Sequence, residues 1–311
     1  MNERSRIYLA GHTGLVGTAM HRKLLEKGFS NIITRTHGEL DLTRQSDVEN
    51  FFKKEKPEYV ILAAAKVGGI HANSTYPAQF IFENLSIQNN VIHASCLSGV
   101  KKLLFPGSAC TYPRECPQPM KEEYLLTGPP EPTNEPYAVA KIAGITLCQA
   151  YNRQYGTDFI CAVPTNAYGP NDNFDPEDSH VIPALLKRFH DARTTGAAEV
   201  TIWGTGSPLR EFIYADDLAD AFLFLLKNYG GSEIINIGTE KEISVRELAF
   251  LIKDIVGFKG RVLFDRSKPD GAPRKTLDKT RLFVLGWRPE ISLSEGLEMT
   301  YRWFLKHPSN T

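Results

Sequence analysis

Residues 6–17 read RIYLAGHTGLVG, from Arg6 to Gly17, and this stretch decides the fold. IYLA is a short β-like run. The helical pattern Met20, Leu24, Leu25 follows the glycines. Strand, glycine turn and helix in that order raise a glycine pattern above chance. Gly11 and Gly14 let the backbone turn tightly and approach a pyrophosphate. Gly17 lets the helix pack close on the strand, whose turn then offers free helix N–H groups to the anion. The spacing here is GxxGxxG rather than GxGxxG.

The alternation of strand and helix continues outward. A second strand is expected at Asn31–Thr34. Its tip, Arg35-Thr36-His37, has a base where NAD-binding folds place an acid against the ribose 2′-hydroxyl, which favours a 2′-phosphate and NADP. Asp41-Leu42-Thr43 opens a helix over Asp47–Lys54, with Pro57 as its stop. Tyr59–Ala65 reads as a buried strand whose small tip, Ala63-Ala64-Ala65, would admit an adenosine edge. Lys66–Ile70 reads as a loop. Pro77–Ser98 is a long helix whose apolar stripe (Phe80, Phe82, Leu85, Ile87, Val91, Ile92) is broader than one core face needs. The stripe suits either a dimer surface or a buried helix. Leu103–Phe105 is the next strand. These repeats predict an α/β fold, a Rossmann-type doubly wound parallel sheet. Its ligands should lie beyond the strand C-termini, where Gly11, Arg35, Ala63, Ser108 and Pro164 fall.

A second centre lies between Leu104 and Lys141: LLFPGSACTYP, a Pro-rich connection, then EPTNEPYAVAKIAG. Ser108 follows the strand. Tyr137 and Lys141 are four apart at a helix start and share one face. The Lys charge is expected to favour the phenolate, so that a Tyr ordinarily ionising near ~10 exchanges a proton near neutrality. The Ser108 hydroxyl would hold the oxygen that gains or loses that proton.

The second half is less regular. A helix over Tyr137–Tyr155, a strand over Phe159–Val163 and a rigid turn from Pro164 to Pro170 precede the polar loop NDNFDPEDSH. His180 then opens a helix over Val181–His190. Trp203 ends the strand VTIW, and Arg210–Asp217 is read as starting a helix that runs to Lys227. Glu233–Gly238 is a strand expected to rejoin the sheet. Ser244 caps a helix to Val256, with Glu247 completing a capping box. Ser267–Lys275 is a polar loop, and a last helix covers about Leu293–Leu305. The expected division is a nucleotide-binding domain at 1–166 plus about 212–240, and a smaller discontinuous α+β lobe at 167–211 and 241–311.

The chain has 311 residues with 36 basic and 36 acidic side chains, so no polyanion-binding surface or nucleic-acid partner is indicated. The 5 cysteines are odd in number and form no CxxC, which argues against zinc or a disulfide framework; no metal is expected. The N-terminus does not read as a signal peptide, and no apolar run approaches the ~20 residues of a membrane span. A soluble, reduced, cytoplasmic protein is expected.

Together these motifs resemble the extended short-chain dehydrogenase/reductase family. Within it, the chain is similar to the bifunctional 3,5-epimerase/4-reductases that convert GDP-4-keto-6-deoxy-D-mannose to GDP-L-fucose. The matching stretches run nearly end to end: GHTGLVG, AAAKVGGI, LLFPGSACTYP, EPTNEPYAVAKIAG, YNRQYG, PTNAYGPNDNF, SHVIPALLKRFH, WGTGSPLREF and SKPDGAPRK. The resemblance implies Ser108, Tyr137 and Lys141 as a catalytic triad and Cys110 and His180 as the acid/base pair of epimerisation; Cys110 is read as the base, with the reverse assignment left open. It implies NADP(H) contacts at Gly11, His12, Thr13, Gly14, Leu15, Val16, Gly17, Arg35, His37, Ala63, Ala64, Ala65, Lys141, Pro164, Thr165, Asn166, Ala167 and His180. For the nucleotide sugar it implies Arg188, Trp203, Arg210 and Asp270. It also implies a homodimer through Pro77–Ser98 and Tyr137–Tyr155. Related chains carry arginine where Thr13 and His37 stand here, which leaves use of NADH open. A 4,6-dehydratase of this family would carry an acid pair after the triad Ser, and Ser108-Ala109-Cys110 has none. A 4-epimerase gives no reason for Cys110 and His180. A dinucleotide-sensing scaffold would tend to lose the triad, which is intact.

Overall fold

The computed structural model describes residues 1–175, 178–268 and 270–307, so Pro176 and Glu177 of the polar loop and Pro269 of the later loop lie outside the described residues. Six parallel strands form the main sheet: β1 (Ile7–Ala10), β2 (Ile32–Ile33), β3 (Tyr59–Leu62), β4 (Lys102–Pro106), β5 (Phe159–Pro164) and a late strand, Ile235–Ile237, which pairs with β5. The order in space is β2-β1-β3-β4-β5 and then that late strand. The direction of winding reverses between β1 and β3, where Ala10 pairs with Leu62. In such sheets the crevice beyond this switch point takes the ligand.

Both faces of the sheet are buried, which is why its strands read as continuous apolar runs. Tyr8, Ala10, Val60, Leu62, Leu103 and Phe105 enter one core, with Val48, Phe52, Val91, Ile92 and Ile145 of three helices. Those helices are α2 (Gln45–Glu55), α4 (Pro77–Leu97) and α5 (Glu135–Tyr155), while a short helix, α3 (Ile70–Thr75), precedes α4. The alternate residues Ile7, Leu9, Ile61, Leu104 and Ile160 enter a second core. There they meet α1 (Leu15–Glu26) and the helix Ala215–Asn228 through Met20, Leu24, Leu218 and Phe222. Leu282 and Trp287, far along the chain, pack into this same core.

A third core holds the remainder. It joins α6 (Val181–Thr195) to later helices over Val245–Val256 and Leu293–Lys306, through Leu186, Phe189, Leu248, Ile252, Leu297 and Phe304. Its strands are β6 (Asn166–Tyr168), β7 (Glu199–Trp203) and β8 (Leu209–Tyr214), and β6 pairs parallel with β8. Ser244 accepts from the Glu247 amide while Glu247 reaches back to the Ser244 amide, the expected capping box.

Several local readings change, among them the polar loop Ser267–Lys275, which ends in a strand, Arg274–Lys275, paired with β8. Arg210–Tyr214 is a strand, and the helix begins at Ala215. Phe212, Ile213 and Tyr214 are all buried, one set against each core, so tertiary packing overrides the helical reading. The turn after Pro164 contains β6, whose partner lies more than forty residues ahead in β8. Strand β3 ends at Leu62, leaving Ala63–Ala65 beyond the ladder.

Candidate active site

The glycine turn lies against the tip of β3. Gly11 has a positive φ of 83°, and a Cβ there would meet the Ala64 backbone at 2.5 Å. A Cβ on Gly17 would strike the Gly11 carbonyl. At Gly14, by contrast, the nearest atom to such a Cβ is 3.8 Å away, so this face of the turn is open. Gly14 is the N-cap of α1 without a side-chain cap, and the first turn of α1 has no acid. The His12 Nδ1 is buried with no partner. An open glycine face, uncapped helix N–H groups and an orphaned polar nitrogen fit a dinucleotide pyrophosphate. Thr13, Leu15 and Val16 lie within this same turn and helix start.

At the tip of β2 the predicted cations are less free. The Arg35 guanidinium pairs with Glu55 at 2.7 Å, donates to the Thr34 carbonyl and stacks over Phe51. Glu39 accepts from the Thr36 amide and hydroxyl, which holds its carboxyl below the usual range. A groove next to this tip is lined by His37, Glu39, Asp41 and Arg44.

The third group of residues expected to meet the cofactor follows β5. Thr165 donates from its amide to Ile237 and from its hydroxyl to the Glu211 carbonyl, and Asn166 donates to that same carbonyl at 3.1 Å. Glu211 itself is fully buried. Its carboxylate accepts from the Thr239 and Leu277 amides and faces Lys279 at 3.4 Å. The Glu211 main-chain carbonyl thus holds the Pro164–Ala167 turn while its carboxylate ties β8 to Thr239, Leu277 and Lys279, and no local pattern marks either contact.

Strand β4 delivers Ser108, the N-cap of a short helical turn over Ala109–Thr111, where its hydroxyl accepts from the Cys110 amide at 3.3 Å. Tyr137, in the first turn of α5, hydrogen-bonds Ser108 and lies within electrostatic reach of Cys110. Phe80 packs its ring nearly perpendicular to the Tyr137 ring. Burial and the nearby Cys110 sulfur raise the Tyr137 pKa, outweighing the Ser108 hydrogen bond that lowers it. The expected near-neutral phenol is therefore not found in the protein alone. Lys141 is 4% exposed, donates to the Pro106 carbonyl at 2.9 Å and has its Nζ 4.8 Å from the Phe105 ring. Burial brings its pKa down to about 8. A cation that is itself costly to charge does little to acidify its neighbour.

Cys110 receives a side-chain hydrogen bond that the sequence reading missed: Asn134 donates to its Sγ at 3.0 Å. His180 is the N-cap of α6 without a cap bond and lines a cavity of about 70 Å³ with Asn166, Ala167, Tyr168, Arg210 and Phe212. It opens to solvent at the cavity mouth, yet the protein crowding its ring lowers its pKa. The two sides of the site are joined by α3. Its body packs on residues 132–134, and Gly69 before it donates to the Asp178 carbonyl at 2.8 Å.

Of the residues expected to meet the nucleotide sugar, Arg210 lines this cavity, while Arg188 lies on α6 and Trp203 ends β7. Arg210 donates to the Ala272 carbonyl, and Asp270 accepts from the Thr205 amide and hydroxyl, which lower its pKa first, with Arg210 adding to this. Arg188 donates to the Thr201 carbonyl on β7, and burial lowers the pKa of both guanidinium groups. Trp203 is 68% exposed, with Lys268 over its ring. An open indole is free to stack, which a core Trp is not. Among the described residues no group of His, Cys, Asp or Glu is placed to hold a metal, and no helix is long and apolar enough to cross a membrane. All five cysteines are free thiols.

Residues 7–238 match the NAD dependent epimerase/dehydratase family. The chain is 61% identical to GDP-L-fucose synthase 1 of Arabidopsis thaliana over 311 residues, covering 100% of this chain and 96% of that protein. It is 52% identical to GDP-L-fucose synthase of Escherichia coli (strain K12), covering 98% of each. Among solved structures, a GDP-L-fucose synthetase from Naegleria fowleri bound to NADP superposes with a TM-score of 0.92 at 30% identity, over 99% of this chain and 96% of that one.

Proposed function

We infer the reaction from one premise: this chain belongs to the NAD dependent epimerase/dehydratase family, within its GDP-L-fucose synthase branch. It converts GDP-4-keto-6-deoxy-D-mannose to GDP-L-fucose, by epimerisation at carbons 3 and 5 and then reduction of the 4-ketone. The observation that supports the residue assignment is the convergence of Cys110, Ser108 and Tyr137 beyond the end of β4, with α3 packed on residues 132–134 and bonded through Gly69 to Asp178, two residues before His180.

The 4-ketone acidifies the hydrogens on carbons 3 and 5. Cys110 as thiolate takes one such proton: the C–H bond breaks, an S–H bond forms, and the electron pair becomes the enolate. His180 returns a proton to the opposite face of the same carbon, and exchange with solvent resets both groups. Ser108 donates a hydrogen bond to the 4-oxygen. Bound NADPH supplies the hydride for carbon 4. Tyr137, protonated at neutral pH because burial raises its pKa, gives its proton to the oxygen as it becomes an alkoxide. Lys141 holds the nicotinamide ribose, and Gly11–Gly17, Ala63–Ala65 and Pro164–Ala167 frame the dinucleotide. Arg188 and Arg210 hold the GDP pyrophosphate with bidentate geometry. Trp203 and Asp270 contact the nucleotide or the sugar.

The division into a nucleotide-binding domain (1–166 and about 212–240) and a substrate lobe is supported by the separate third core. Residues 280–287 go with the first domain by packing. A homodimer through α4 and α5 is supported by Phe82, Leu97, Val139 and Tyr155, large apolar side chains left exposed on those two helices. Free thiols suit a cytoplasmic setting.

The test mixes the protein with GDP-4-keto-6-deoxymannose and NADPH, and separately NADH, and follows nicotinamide absorbance and the product sugar. Oxidation of NADPH with formation of GDP-L-fucose is expected. No oxidation with either cofactor would end the reductase assignment. A 4-reduced but unepimerised sugar would end the Cys110/His180 assignment.

A further inference from the structure

We propose that Asn134 is a positioning residue for the epimerisation step, holding the Cys110 sulfur as an aimed thiolate; the proposal rests on the reading of Cys110 as the base.

Asn134 occupies the N-cap of α5, a place where an Asn side chain ordinarily accepts from a helix N–H and stabilises the helix. Here it makes no such bond. Its Nδ2 instead donates to Cys110 Sγ at 3.0 Å, across 24 residues of chain. Its Oδ1 is buried and makes no hydrogen bond. The side chain thus forgoes the cap and leaves an acceptor unpaired, and its one hydrogen bond is to the sulfur. An amide N–H offered to sulfur favours the charged thiolate over the thiol, because the ionised acceptor makes the stronger bond. The titratable groups facing this pair bear on the same balance. Tyr137 of α5 lies beside the sulfur, and Lys141 lies behind Tyr137, turned to the Pro106 carbonyl. His180 opens α6, two residues after Asp178, whose carbonyl accepts from Gly69. Neither the phenol, protonated when buried, nor the withdrawn Lys141 donates a hydrogen bond to the sulfur. Asn134 is also one helical turn from Tyr137, so the residue that aims the base sits on the segment that carries the acid of the second step.

Two near-isosteric variants test this, Asn134→Leu and Asn134→Asp. Both lose the N–H donor, and Asn134→Asp retains a good helix cap should the first fail to fold. Two quantities are measured on the full chain: the rate of iodoacetamide alkylation at Cys110 against pH, with Cys110→Ser as the control, and deuterium incorporation at carbons 3 and 5 of the ketosugar. In both variants alkylation at pH 7 should slow about tenfold or more, since the sulfur loses the N–H that orients it. Deuterium incorporation should fall in step. Alkylation profiles unchanged from the parent would overturn the proposal, even if exchange were slower, since a purely structural role would leave the thiolate where it was. If the parent protein shows no exchange, or Cys110→Ser retains it, Cys110 is not the base, while the alkylation profile still reports whether Asn134 holds the thiolate.

Discussion

Lys141→Met removes a buried cation that the proposed reduction needs and that burial makes costly to charge. The Lys141 pKa falls from its ordinary 10.5 to about 8 because burial disfavours the charged form. A shift of that size corresponds to about 3.4 kcal/mol, at about 1.36 kcal/mol per unit. With the folded value below the unfolded one, the unfolded chain binds more protons between about pH 8 and 10.5, and stability rises with pH across that window. Of the total, about 2.5 kcal/mol should be recovered between pH 7 and pH 10. In Lys141→Met this contribution is absent. The assay is urea unfolding of both proteins, free of cofactor, at the two pH values. The stability of the parent relative to the variant should increase by about 2.5 kcal/mol on going from pH 7 to pH 10. The comparison between variants cancels every other titrating group. It also cancels the fixed loss of packing and of the Pro106 hydrogen bond, to the extent that these do not change with pH. Reduction by the variant should be lost at both pH values. A relative stability that stays flat between them, or moves the other way, would show that Lys141 is not held as an unwelcome charge in the folded protein.

Three more outcomes are expected. Tyr137→Phe should lower the reduction rate by roughly 10² to 10⁴-fold yet leave deuterium exchange at carbons 3 and 5, and loss of both would refute the division of labour. Glu55→Gln releases Arg35 from its 2.7 Å ion pair and should lower KM for NADPH by about threefold without changing that for NADH. An unaltered ratio in steady-state kinetics would show that Arg35 does not face the 2′-phosphate. Glu211→Ala leaves Lys279 without its buried partner and frees the Thr239 and Leu277 amides, so it should destabilise by about 3–5 kcal/mol in urea unfolding. A loss below about 1 kcal/mol would contradict its place as a buried carboxylate that holds the Thr239 and Leu277 amides and Lys279.

The doubly wound sheet was legible in the chain because its signals are local. A strand buried on both faces must be apolar throughout, and a turn at positive φ beside another backbone must be Gly, as at Gly11. The capping box of Ser244 and Glu247 spans three residues and was readable for the same reason. Ser108, Tyr137 and Lys141 could be named from motif spacing, and Cys110 and His180 only from the family resemblance. Their electrical state could not, since it depends on how much water the completed fold removes. That is why Tyr137 is raised where the charge of Lys141 was expected to lower it.

The chain alone thus determined which residues meet at the strand ends, since each end is specified by the few residues around it. Only the tertiary structure decided what those residues touch. The Asn134 amide on the Cys110 sulfur, Arg35 bound to Glu55, Glu211 beneath the Pro164 turn and the open face of Trp203 all join or expose groups that are distant in sequence. No local pattern encodes such contacts, because they form only when loop closure and packing bring separate elements to one place.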